Sequence, residues 1–127
     1  MAVTISLTGS IKATDSVAGT IALSKVLTAL ATVATTFSEA SGFSVGTSPV
    51  SVTLPISPAT FVYIKNTHAT QTLTVAWTPN GGASNTVVVL QPGAWLGFGE
   101  LTALSGITAL SLTGSGASTT CEYVLGG

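Results

Sequence analysis

The sequence predicts an all-β protein, an antiparallel two-sheet sandwich of the jelly-roll kind with about eight to ten short strands. Three observations carry that prediction. Apolar residues recur with a period of two over most of the chain, as in Val3-Thr4-Ile5-Ser6-Leu7 and Leu73-Thr74-Val75-Ala76-Trp77, which is the side-chain period of a strand. Gly, Pro, Asn and Ser punctuate these runs at short intervals, and each such residue favours a turn by its backbone freedom or its fixed φ. Thr, Ser, Val, Leu, Ala and Gly dominate, whereas charged residues make up only 6%, so the usual solvent face of a surface helix has few candidates. The 127 residues are read as one domain, residues 1–127, large enough for a core of its own.

Taken in order, Val3, Ile5 and Leu7 alternate with hydroxyls and stop at Gly9-Ser10, a first half-buried strand. Residues 12–18 are polar and mixed, with Asp15-Ser16 as a turn start. Residues 19–36 read two ways. Ala and Leu favour a helix, but Thr28, Thr32, Thr35 and Thr36 favour a pleated surface, and strand is the preferred reading. Residues 38–49 read as loop because of Gly42, Gly46 and Pro49, with Phe43 and Val45 tucked inward. Val50, Val52 and Leu54 make a short strand, and Pro55 and Pro58 stiffen the connection that follows.

Residues 59–100 are the centre of the pattern. Phe61, Tyr63 and Lys65 fall on one side of an extended chain, and Val62, Ile64 and Asn66 on the other. Leu73, Val75 and Trp77 share a face in the next run. Breaks at residues 66–70, at Pro79-Asn80-Gly81-Gly82 and at Gln91-Pro92-Gly93 lead to the expectation of four antiparallel strands in a row. Beyond residues 101–105 and a break at Gly106, Ile107, Ala109 and Ser111 alternate with Thr108, Leu110 and Leu112, so neither side is plainly the wet one. Thr119, Cys121, Tyr123 and Leu125 alternate in a last strand.

Composition excludes several classes of function. Lys12, Lys25 and Lys65 are the only cations, there is no Arg, and the formal net charge is −1. Three scattered lysines cannot displace counterions from a nucleic-acid backbone or hold an anionic lipid surface. The longest apolar run, residues 26–34, is interrupted by Thr28 and Thr32 and is far short of the ~20 residues a membrane helix needs. The opening residues enter the alternating pattern directly, without the apolar core of a secretory signal. One cysteine allows no internal disulfide, which fits synthesis in a reducing cytoplasm.

No motif for a reaction is present. His68 has no locally spaced partner ligands, so it reads as a turn residue and not a metal site. Cys121 sits in an alternating strand and reads as a small buried side chain, not a nucleophile. The carboxylates Asp15, Glu39, Glu100 and Glu122 form no local polar cluster of the sort that glycoside hydrolysis uses. The expectation is a non-enzyme with no metal and no cofactor. The aromatics say more: Trp77 continues a core face, whereas Trp95 follows the Pro92-Gly93 turn and is expected to be exposed at an edge or interface. Trp95, Phe98, Phe43 and His68 are the candidate interface residues.

The run Phe61-Val62-Tyr63-Ile64-Lys65-Asn66-Thr67, then Leu73-Thr74-Val75, a Gly-rich turn, and Val89-Leu90-Gln91-Pro92-Gly93 resembles small bacteriophage virion proteins, and among them the jelly-roll-like capsid decoration, or cement, proteins. The resemblance covers roughly residues 60–100, with a weaker echo in the opening alternation and in Glu122-Tyr123-Val124. It implies a structural protein of the virion, made in the host cytoplasm. Its partners would be itself, as a dimer or trimer, and a major capsid or other virion protein. It carries over no functional residue, because such proteins act through surfaces. Two other readings are a carbohydrate-binding or adhesive module built on Trp95 with a companion aromatic, and a tail or filament subunit.

Overall fold

The structure, a computed structural model, describes residues 3–14, 21–34, 36–82, 85–98 and 106–127, with side chains from residue 36 onward in those ranges except at Phe98. It is all-β. β1 (Val3–Thr14) and β2 (Ile21–Ala34) pair antiparallel as a separate two-stranded sheet. The strand reading of residues 19–36 therefore holds over β2, and the first strand continues past Gly9-Ser10 without a turn, the register shift between Leu7 and Gly9 being taken up by one extra residue on β2 between Leu27 and Leu30. The turn expected at Asp15-Ser16 lies outside the described residues.

The remaining eight strands are β3 (Phe37–Val45), β4 (Val50–Val52), β5 (Phe61–Asn66), β6 (Leu73–Pro79), β7 (Thr86–Leu90), β8 (Trp95–Phe98), β9 (Ile107–Gly114) and β10 (Thr119–Gly126). They form two four-stranded antiparallel sheets, ordered β3-β10-β5-β8 and β4-β9-β6-β7. The first strand of the eight pairs with the last, the second with the seventh, the third with the sixth and the fourth with the fifth. That nesting is one long antiparallel ribbon, doubled at the β6–β7 turn and rolled up so that β10 meets β5 and β9 meets β6. It is the jelly-roll arrangement.

Two expectations are corrected by this topology. The strands of residues 59–100 are not four in a row within one sheet: β6 and β7 form a hairpin in one sheet, while β5 and β8 pair in the other. Residues 67–72 and 91–94 are therefore crossings between sheets, which alternation within each strand cannot distinguish from hairpin turns. Residues 38–49 are not a loop throughout, since β3 occupies Phe37–Val45. Gly42, read as punctuation, has φ +67° at a bulge where β10 advances from Cys121 to Tyr123 while β3 goes from Phe43 to Ala40.

The core lies between the sheets. Val62, Ile64, Leu125, Cys121 and Val45 from one sheet meet Leu73, Val75, Leu90, Leu110 and Leu112 from the other. On β9 the ambiguity is resolved by an irregularity against Thr78 and Pro79. It turns Ile107 inward with Leu110 and Leu112 and leaves Thr108 and Ala109 exposed. Trp77 packs half-buried against this core. The Gln91-Pro92-Gly93 break is a type II turn, with the Ala94 amide donating to the Gln91 carbonyl at 2.9 Å and Gly93 at φ +78°.

Candidate functional site

The two outer sheet faces differ in chemistry, and the registers fix which residues they carry. On the β4-β9-β6-β7 sheet, Ser51, Ser111, Ala76 and Val87 lie in one cross-strand row, and Thr113, Thr74 and Val89 in the next. Every residue of these rows is a hydroxyl or a small apolar side chain, and none is charged. A shallow concavity of about 210 Å³ on this face is lined by Ser51, Ala76, Thr78 and Ser111 with Asn85 and Ala109. Among the described residues the sheet ends at β7, which is hydrogen-bonded to a neighbouring strand on one side only. Val87, Val88 and Val89 are 57%, 36% and 52% exposed. Because Val88 stands opposite the core residue Val75 while its neighbours stand opposite Ala76 and Thr74, the strand shows apolar surface to both sides.

On the β3-β10-β5-β8 sheet, Glu39, Val124, Tyr63 and Gly97 form one row, and Glu122, Lys65 and Trp95 the next. The charged side chains among the described ones are Glu39, Lys65 and Glu122, so all three lie on this outer face. The Tyr63 hydroxyl donates to Glu122 Oε1 at 3.0 Å. Burial first, and then that bond and the negative charge of Glu122, hold the Tyr63 phenol above its ordinary 10.0. The Tyr63 ring is tilted at 39° to that of Trp95 with centroids 6.3 Å apart. A concavity of about 190 Å³ beside Tyr63 is bounded by Glu39, Ser41 and Glu122.

Each candidate residue has a definite place. Trp95 is 47% exposed on edge strand β8, as expected. Phe98 ends the same strand opposite Val62. Phe43 is half-buried and packs edge-on against Tyr123, with centroids 5.5 Å apart, at the margin of the core. His68 lies in the crossing after β5, where its Nδ1 accepts the amides of Thr70 at 3.1 Å and Gln71 at 2.9 Å. That lone pair therefore closes a turn. Cys121 is buried in the core, and burial first and Glu122 second push its thiol from an ordinary 9.0 up to about 11, the opposite of what a nucleophile needs. Asp15 and Glu100 lie outside the described residues, while Glu39 and Glu122 share the concavity beside Tyr63.

No protein-family model matches the sequence, and no curated protein matches it. A solved structure of the disulfide-linked pili that form Bacillus endospore appendages is similar at 14% identity, over 72% of this chain and 88% of that one, with a TM-score of 0.47. A likeness that distant transfers neither function nor partners.

Two features escaped sequence reasoning. Asn66 is fully buried and ties three segments together: its Nδ2 donates to the carbonyls of Gln71 at 2.8 Å and Leu90 at 3.0 Å, and its Oδ1 accepts the His68 amide at 3.0 Å. Its place on the inner side with Val62 and Ile64 was the available signal, since a buried amide must find partners. Tyr63 as the neighbour of Trp95 depends on the pairing of β5 with β8, a long-range register that alternation does not encode.

Proposed function

We propose that this protein is a non-enzymatic structural subunit of a bacteriophage particle, of the capsid decoration kind, which works by burying its uncharged sheet face and the β7 edge against its neighbours. The observation that carries this reading is the exposed Val87-Val88-Val89 edge of a sheet whose outer face bears no charge. A strand apolar on both sides is the pattern of one covered on both faces. An unpaired edge with no Lys or Pro to blunt it is a template for a further strand. In this reading the β7 edge is the contact between copies in a small closed oligomer, a dimer or trimer, and the hydroxyl-rich face seats on the major capsid protein. Each contact can be modest, because a lattice of identical sites multiplies it. The sequence resemblance over residues 60–100 supports a virion protein, made in the host cytoplasm and taken up by the particle.

Light scattering across a concentration series, followed by addition to particles that lack the protein, tests this. The expected result is a fixed small oligomer that binds saturably and stoichiometrically, together with dissociation and loss of binding in a Val87→Lys/Val89→Lys variant whose circular dichroism is unchanged. A monomer at all concentrations that binds no particle would overturn the reading. Open-ended polymers visible by electron microscopy would replace it with that of a filament subunit.

A further inference from the structure

We infer that the opposite face, on the β3-β10-β5-β8 sheet, carries a binding site for a neutral oligosaccharide lying across the strands, with Trp95 and Tyr63 as the stacking surface for one ring and Glu122 and Glu39 as acceptors for the hydroxyls of the next.

The distribution of charge points there first. In a chain with 6% charged residues, the described charged side chains all gather on this one face, which also carries the Tyr63 and Trp95 rings and, towards the start of β3, the exposed Phe37. Charge needed only for solubility would have no reason to avoid the other sheet. The geometry then favours a flat ligand. Gly97 stands opposite Tyr63 and Trp95 opposite Lys65 on adjacent strands, so no side chain stands directly opposite Tyr63 on β8 and the Trp95 ring can lean towards it from the next row. The Trp95 indole is 47% exposed and leans at 39° to the phenol, forming a shallow angled platform. Two rings so placed do not make a closed cage.

The chemistry selects the ligand class. One side of a pyranose is a patch of C–H bonds whose weak positive charge suits the negative face of an aromatic ring, and its rim of hydroxyls suits a carboxylate that accepts. Glu122 is already oriented by the Tyr63 hydroxyl at 3.0 Å, and Glu39 lines with it a concavity of about 190 Å³ on the side of Tyr63 away from Trp95, which is of the size of one sugar ring next to the stacked one. A polyanion is disfavoured by the two carboxylates, and an organic cation by Lys65 between Glu122 and Trp95. A neutral polyhydroxylated ring meets neither objection.

The test is fluorescence and saturation-transfer NMR with maltohexaose, cellohexaose and mannohexaose as probes, alongside a sulfated and a sialylated oligosaccharide. Trp95 provides the optical signal, since Trp77 packs against the core. The expected result is a shift in emission on adding at least one neutral probe, with a Kd of about 0.1–10 mM. Affinity should fall at least ~10-fold in Trp95→Ala and ~3-fold or more in Glu122→Gln. Val87→Lys/Val89→Lys should bind sugar as the parent does, so this site and the assembly reading can fail separately. Silence toward every neutral probe, unaltered binding in a folded Trp95→Ala variant, or a preference for the anionic sugars would each overturn the inference.

Discussion

Asn66 does more than fill space in the core. Its side chain satisfies the Leu90 carbonyl of one sheet and the Gln71 carbonyl and His68 amide of the crossing after β5. Its backbone meanwhile binds Ala94 and Gly93 of the neighbouring crossing, at 2.9 Å and 3.0 Å. Removing the amide strands the buried Leu90 carbonyl, which costs about 1–3 kcal/mol when left without a partner, and the part-buried Gln71 carbonyl and His68 amide, which cost less. Asn66→Ala is therefore expected to lower unfolding stability by about 2–4 kcal/mol in urea titration, well beyond a surface substitution. Cys121 makes a second prediction at this scale. Its folded thiol lies at about 11 against an ordinary 9.0, so the folded state holds the proton where the unfolded state releases it. That contribution is complete below pH 9 and is lost as pH rises through about 11, in the same direction as the raised phenol of Tyr63. At pH 8 a disulfide reagent should leave the native thiol unmodified for hours and label it promptly in denaturant, and Cys121→Val should lessen the alkaline loss of stability.

Strands were legible in the sequence wherever alternation was clean, and they became illegible where an irregularity broke it. β5, β6 and β10 appear where the period of two places them, with Val62, Ile64, Leu73, Val75, Cys121 and Leu125 all inward. β3 was hidden by Gly42, whose positive φ serves a bulge inside the strand. β9 was ambiguous because the shift near Ile107 puts two residues of one face and one of the other on the same side. The exposed position of Trp95 was also readable, from the turn before it. Its companion Tyr63 and the separation of charged from neutral faces were not, since both follow from which strands are neighbours. Gly42 offers a clean test of the bulge. A Cβ there meets no atom within 4 Å, so Gly42→Ala costs only the strain of a left-handed backbone, about 1–2 kcal/mol. Gly42→Asn should recover part of it, as read by thermal unfolding.

On the scale of the whole molecule, the sandwich has a charged, aromatic side and a neutral, hydroxylated side, and a subunit built this way has a built-in orientation. Contact through the neutral side releases few counterions. In the proposed role, attachment to particles is thus expected to change less than ~3-fold between low and high salt, in a sedimentation assay. A steep decline with salt would mean that the charged side is the one that docks. The rolled ribbon has another consequence. Its first and last strands are neighbours, Phe37 stands opposite Gly126, and Thr36 and Gly127 exchange backbone hydrogen bonds at 3.2 Å and 3.1 Å. A pull applied across Thr36 and Gly127 peels β3 from β10 one cross-strand pair at a time, as a zip opens, and the force needed never exceeds that of the pair then parting. Gripped by its faces, the same sandwich shares a load over all its rows at once. Its toughness is then a property of its mounting: a weak bead on a string becomes a strong tile once set in a wall.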